Sequence, residues 1–259
     1  MTSASAAPFA VTTAAAVVAA LWFGASPLRA QEGTLDTTFA VRAGTRLAVS
    51  NQSGEVVIRG WDRNQIRVVA EYDRARVQLD EAAGRVSVRT IARHGDAEVD
   101  YTITVPSGTA VEANGVSTDV DLTGVCGEAT INVVSGDVSV QCSSGELLIQ
   151  AVSGDVMVGD ARGSVEAGST SGDVEVSGAR GAVTAHSVSG DITLSRIDGN
   201  EVDAQTVSGE IEYTGRILDN GRYRFEAHSG YVTLRVTGPL NATIAVETFS
   251  GDFDTDFPI

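Results

Sequence analysis

The tripeptide Ser-Gly-Asp, or a close variant of it, begins at Ser53, Ser117, Ser135, Ser153, Ser171, Ser189, Ser208, Ser229 and Ser250. From Ser117 onward the steps are 18, 18, 18, 18, 19, 21 and 21 residues. A step this regular makes the chain an array of one short structural unit, so a layered globular fold is excluded at the outset. The variants are Ser53-Gly54-Glu55, Ser117-Thr118-Asp119, Ser208-Gly209-Glu210 and Ser229-Gly230-Tyr231.

Alignment on the serine brings out apolar columns. Three residues after it stand Val120, Val138, Val156, Val174, Ile192, Ile211, Val232 and Phe253; five after it stand Leu122, Val140, Val158, Val176, Leu194, Tyr213 and Leu234, with Thr255 breaking the series. Four residues before it stand Ala113, Ile131, Ile149, Ala167, Ala185, Ala204, Phe225 and Val246, and another column lies two residues further back. Apolar residues two apart mark a β-strand with one buried face. Each repeat therefore reads as strand, Ser-Gly turn, strand and short connector. The period is too short for helical repeats or propeller blades, which run from about 33 to 50 residues. The predicted fold is all-β: a β-solenoid, or single-stranded β-helix, of 18–21-residue coils. Coils about 4.8 Å apart share one core, because none buries its apolar face alone. Removing a 30-residue leader from 259 residues leaves 229. At about 20 residues per coil that length predicts roughly 11 coils and a rod of about 50 Å.

Three segments are expected. Residues 1–30 read as a signal peptide: an apolar run over residues 14–24 precedes Ser26-Pro27-Leu28-Arg29-Ala30, with cleavage after Ala30. The run is shorter than the roughly 20 residues a spanning helix needs; an uncleaved anchor is the alternative. Residues 34–110 read as irregular coils or a cap, since Leu47, Val49, Ser53, Val56 and Ile58 repeat the columns but the turns are longer. Residues 111–259 are the regular solenoid. The charge divides at the same place. Residues 31–111 carry 10 Arg against 11 Asp and Glu, whereas residues 112–259 carry 7 Arg against 23.

The leader predicts export to the periplasm, the cell surface or the medium, with membrane contact only if it stays uncleaved. In that setting Cys126 and Cys142, 16 residues apart, are predicted to form a disulfide; two buried free thiols are the alternative. A net charge of −16 excludes nucleic acid as partner. All 18 basic residues are arginine, which excludes lysine-dependent chemistry such as a Schiff base.

The segment Leu47-Ala-Val-Ser-Asn-Gln-Ser-Gly-Glu-Val-Val-Ile-Arg-Gly-Trp61, the later Tyr101-Thr-Ile-Thr-Val-Pro-Ser-Gly108 and the Ser-Gly-Asp-Val coils resemble the DUF4097 family of adhesin-like β-strand-repeat proteins. That family is related to toastrack-type envelope domains, and the resemblance covers nearly all of the mature chain. It implies a right-handed β-helix and, for some relatives, association with envelope-stress sensing. It brings no catalytic residues.

Candidate chemistry is sparse. Stacking would line up Asp137, Asp155, Asp173 and Asp191, followed by Glu210 and Asp252. A carboxylate row of this kind suggests a cation site, yet Ca²⁺ needs several oxygen ligands per ion. The simpler reading is that each Asp caps backbone N–H groups of its turn. Serines as nucleophiles would need a positioned base, and His94, His186 and His228 form no matching column. The serines instead read as a hydrogen-bonded turn ladder. Arg162, Arg180 and Arg196 recur near the connectors and suggest charge balance between coils. No catalytic residue and no cofactor is therefore predicted. The chain reads as a non-catalytic, exported, adhesin-like binding or scaffold module whose partner is an envelope protein or a glycan. The alternatives are a polysaccharide lyase-like enzyme on a β-helix and a cation-dependent structural rod.

Overall fold

Most repeats bend at a Ser-Gly corner whose glycine adopts a backbone that side chains disfavour. Gly136, Gly154 and Gly172 have φ of 136°, 136° and 155°. The two strands flanking the corner turn their valines, isoleucines and leucines to the same interior. The structure, a computed structural model, describes residues 33–82, 84–92, 97–239, 243 and 245. The leader, His94, Ser250, Asp252 and the last column members Ile244, Val246, Phe253 and Thr255 lie outside the described residues.

The described residues hold strands and no helix. The first six strands are β1 (Gly33–Ala40), β2 (Arg46–Trp61), β3 (Gln65–Asp73), β4 (Ala75–Ala82), β5 (Arg85–Ala92) and β6 (Glu98–Pro106). After β7 (Ala110–Thr123) the chain settles into strand pairs: β8 (Ala129–Ser135) with β9 (Val138–Gln141), and β10 (Leu147–Ser153) with β11 (Val156–Gly159). These are followed by β12 (Val165–Ser171) with β13 (Val174–Ser177), and β14 (Val183–Ser189) with β15 (Ile192–Ile197). The series ends with β16 (Glu201–Ser208) and β17 (Ile211–Gly215), then β18 (Arg222–Ser229) and β19 (Val232–Val236).

Two ladders result. Strands before the Ser-Gly corner form the first face, in the order β4, β5, β2, β7, β8, β10, β12, β14, β16, β18. Strands after the corner form the second face, in the order β1, β3, β6, β2, β7, β9, β11, β13, β15, β17, β19. From β5 and β6 onward all pairing is parallel. Only β1, β3 and β4 run antiparallel, closing the N-terminal end of both faces. Stack order departs from chain order here: β2 lies between β5–β6 and β7. The roughly 11 coils expected from length alone are too many. Seven coils, β7 through β18–β19, follow one another regularly. Residues 33–40 and 65–82 go into antiparallel strands instead of coils, so they add no length to the regular stack.

Register is direct. Val174 pairs with Val156 on one side and Ile192 on the other, and Val176 with Val158 and Leu194. All six side chains are at most 2% exposed. The connectors add a third inward column of small residues, among them Val125, Ala161 and Ala179, all buried. In the last coils aromatic rings fill the interior: Tyr213 packs against Phe225 with ring centroids 5.1 Å apart and against Tyr223 at 6.2 Å. Near the other end, a buried polar cluster replaces apolar packing. Asn51 donates to the Val99 carbonyl at 2.8 Å, and its own carbonyl accepts from Thr90, which also meets the Tyr101 hydroxyl at 2.8 Å.

Two outcomes are expected from these contacts. Val174→Asp buries an unpaired carboxylate in a dry stack and should cost several kcal/mol, whereas outward Glu175→Lys should cost under about 0.5 kcal/mol; chemical denaturation separates the two. Burial pushes the phenols of Tyr101 and Tyr213 above their usual range. A folded-state pKa above the unfolded one means the contribution is intact below pH about 10 and is lost as pH rises beyond it. The denaturation midpoint should therefore hold steady from neutral pH and fall in strong alkali, and Tyr101→Phe/Tyr213→Phe should flatten that fall.

Candidate binding face

The turn edge is built from backbone. In successive coils the glycine N–H donates to the serine carbonyl of the next coil: Gly136 to Ser153, Gly154 to Ser171, Gly172 to Ser189, Gly190 to Ser208 and Gly209 to Ser229, all at 3.1–3.2 Å. The serine column therefore works through its main chain. Ser53 is half-buried, and the side chains of Ser117, Ser135, Ser153, Ser171, Ser189, Ser208 and Ser229 face solvent. The expected turn ladder thus runs through the serine carbonyls, with the hydroxyls left to solvent. Serine and threonine hydroxyls do bond to the turns, but from two residues earlier and from inside. Ser169 donates to Gly154, Ser187 to Gly172 and Thr206 to Gly190.

The aspartates cap N–H groups across coils. The N–H of Asp137 donates to Asp119 Oδ1, Asp155 to Asp137, Asp173 to Asp155, Asp191 to Asp173 and Glu210 to Asp191, at 2.8–2.9 Å. The relay stops where glutamate stands: among the described residues neither Glu55 nor Glu210 passes it on. The extra methylene moves the carboxylate beyond the neighbouring N–H. Among the described residues, no three His, Cys, Asp or Glu side chains gather to hold a metal ion.

The remaining sequence candidates separate. Cys126 and Cys142 are free, exposed thiols, and the expected bridge is not made. The reason is register. Cys142 sits at a left-handed corner (φ 57°) in the column of Gly124, Asp160, Gly178 and Arg196. Cys126 lies further along, in a connector column shared with Arg162, Arg180, Asp198 and Arg216, whose N–H groups make equivalent bonds to the preceding coil. The same geometry splits the arginine row: Arg162 and Arg180 stack, Arg196 does not join them, and Arg216 takes the place after Asp198 and pairs with it at 3.4 Å. His228 is exposed beside Ser229 and meets no catalytic partner among the described residues.

What the repeat does assemble is a groove on the first face. Its floor is the column three residues before the serine: Asn114, Asn132, Gln150, Gly168 and His186. Asn132 donates to Asn114 at 3.1 Å, and the His186 ring lies across Gly168, where a Cβ would collide with it. Its rim is the residue immediately before the serine. Val116, Val134, Val152, Val188 and Val207 are 47–51% exposed, with Thr170 in line. The groove is open to solvent, with about 480 Å³ of space along five coils, and of the valine row Val134, Val152 and Val188 line it. Outside the groove, near the starts of the first-face strands, two arginines meet two glutamates, Arg85 with Glu112 at 2.9 Å and Arg46 with Glu128 at 3.7 Å. The valine row carries the same 18-residue step as the serines, so alignment could have shown it.

Comparison with known proteins agrees with this architecture. The Toastrack DUF4097 family signature matches residues 44–258. The chain belongs to that family. Among solved structures, this Toastrack chain is similar to a candidate adhesin from Bacteroides fragilis, at 18% identity and a TM-score of 0.54, over 82% of this chain and 100% of that one. It is also similar to a candidate cell adhesion protein from Clostridium sporogenes (10% identity, TM-score 0.37, 80% and 100% covered). A candidate lipid-binding protein from Parabacteroides distasonis is similar at 12% identity and a TM-score of 0.40, with 79% and 98% covered. No curated protein matches the chain.

The capping role of the Toastrack aspartates has a direct test. Asp173→Glu should lose the bond to the Asp191 N–H and cost about 0.5–1.5 kcal/mol, while EDTA should leave the melting temperature of the unaltered protein in place. A large drop on chelation that Ca²⁺ alone restores would make the carboxylate row a cation site instead.

Proposed function

We propose that this chain is a non-catalytic, adhesin-like binding module, exported to the cell envelope, which presents the first face of its solenoid to a partner. The observation that carries this reading is the half-exposed valine row beside the amide floor. A large apolar row left open and repeated coil after coil is unusual on a soluble surface. The fold supplies a stiff platform for it, since each coil is locked to the next by backbone bonds at both corners. The adhesin description of the Bacteroides fragilis neighbour is consistent with such a role. Association with envelope-stress sensing, which the family resemblance suggests for some relatives, fits the same module if its partner is an envelope component.

Binding to envelope material tests the reading. Val134→Asp/Val152→Asp places charge on the rim without touching the core and should abolish retention on cell-envelope fragments at unchanged thermal stability. Glu175→Lys, on the second face, should bind like the unaltered protein. Equal retention of all three proteins would remove the first face from consideration.

A further inference from the structure

We propose that the groove holds a linear, uncharged polysaccharide of N-acetylhexosamine units, laid along the stacking axis; this rests on the first face being the binding surface. Three features select that occupant. The first is translation. Floor and rim repeat once per coil, about every 4.8 Å, so a ligand that stays in step along the face is itself a chain whose monomer is about one coil long. A pyranose ring is about one coil long, and in an extended β-linked glycan each ring is turned over relative to the last, so equivalent groups return every second ring and fall in step with every second coil. A polypeptide strand presents equivalent side chains only every two residues, about 6.7 Å apart, and falls out of step within two coils.

The second feature is the chemistry offered at each step. Asn132 and Gln150 each supply a side-chain amide, and Val134 and Val152 beside them each supply an isopropyl group. An N-acetyl group is the complement of that pair, with an N–H and a carbonyl for the amide and a methyl for the valine. The Gln150 amide makes no hydrogen bond among the described residues, and Asn132 uses only its N–H, leaving its carbonyl oxygen open. His186, lying over Gly168, continues the polar floor with a group that both donates and accepts when neutral. Thr170 keeps a methyl in the rim where valine is absent.

The third feature is charge. Carboxylates flank the groove on both sides: the Asp119 to Asp191 column beyond the valines, and Glu112, Glu166 and Asp203 beyond the amides. An anionic polymer meets repulsion along its whole length. A cationic one would be drawn to the flanks and away from the floor. An uncharged chain alone gains from the floor and rim together. From Asn114 to His186 the floor spans four coil spacings, about 19 Å, the length of roughly four sugars.

Calorimetric titration with chitin oligosaccharides of two to six units tests the proposal. Affinity should rise with length and level off near four units. Cellohexaose, which has the ring but no acetamide, should bind at least tenfold more weakly, and polygalacturonate should not bind. Asn132→Ala/Gln150→Ala should weaken chitin hexamer binding at least tenfold with an unchanged circular dichroism spectrum and melting temperature. No binding of the hexamer at millimolar concentration, equal binding of cellohexaose, tighter and salt-sensitive binding of chitosan, or indifference to the double variant would each overturn the proposal. If the hexamer fails while envelope fragments are still retained through Val134 and Val152, the binding face stands and its ligand is another molecule, an envelope protein among them. If retention fails as well, both fall.

Discussion

Everything in this molecule depends on how closely one coil's backbone approaches the next at the corners. At the Ser-Gly turn, a Cβ on Gly154, Gly172, Gly190 or Gly209 would overlap the carbonyl of the glycine one coil earlier. In the connector the same holds for Gly145, Gly163 and Gly181, each against the glycine before it. Two glycine columns thus hold the coils in contact on two edges, and the strands between them have no freedom to slip. A shift of one residue would turn every inward valine to solvent. Once register is fixed in this way, each position in the repeat meets its own equivalent above and below, and any choice of residue is made once for all coils.

That multiplication is severe for charge. Two carboxylates about 4.8 Å apart repel by about 0.9 kcal/mol in bulk water, and a row adds such a cost at every step. The Asp column bears it because each carboxylate accepts the N–H of the next coil's Asp. Each such bond contributes about 0.5–1.5 kcal/mol net, of the same size as the repulsion it offsets. The arrangement also satisfies backbone donors that the turn would otherwise leave to water. The column is a structural device first, and its length is set by where aspartate gives way to glutamate. The left-handed corner is less strict. Gly124 and Gly178 suit it, but Cys142, Asp160 and Arg196 occupy it as well, at a strain of about 1 kcal/mol or more each. Cys142 is thereby fixed in a column that Cys126 does not share, and a spacing of 16 against a step of 18 already contained that offset.

The regular coils were legible because a buried column must be apolar in every coil, and Val174 or Leu194 can be read as inward from spacing alone. The capping aspartates were legible too, though as local turn caps; that the bond crosses to the next coil needs the stack. The N-terminal arrangement was not readable. Val68 and Leu79 alternate with polar neighbours just as Val156 does, and alternation does not distinguish a parallel coil from an antiparallel strand that caps the stack. The position of β2 between later strands was equally hidden, since periodicity carries no record of which strands lie side by side. The serine turns were legible as a ladder, but which of their atoms carries it was not. Their identity repeats, but what the neighbouring coil uses is their carbonyl, which any residue has.

The valine before most of the repeat serines raises the opposite question, because no packing demand explains it. Valine favours strands, and propensity alone could place it on an outward site. Propensity would act equally on the other outward columns, however, and those hold a different mix. The position four after the serine reads Asp121, Ser139, Met157, Glu175, Thr193 and Glu212, and that five before it reads Glu112, Thr130, Leu148, Glu166, Thr184 and Asp203. Both columns are mostly polar, as a solvated strand face should be. Leaving Val134, Val152, Val188 and Val207 half exposed forgoes burying each of them, at roughly 25 cal/mol per Å² of apolar surface. It also lays an apolar stripe along a protein whose charge otherwise keeps it apart from its own copies. A stripe with that cost, confined to one column and bordered by a mostly amide row, is the surface that the proposed partner would cover.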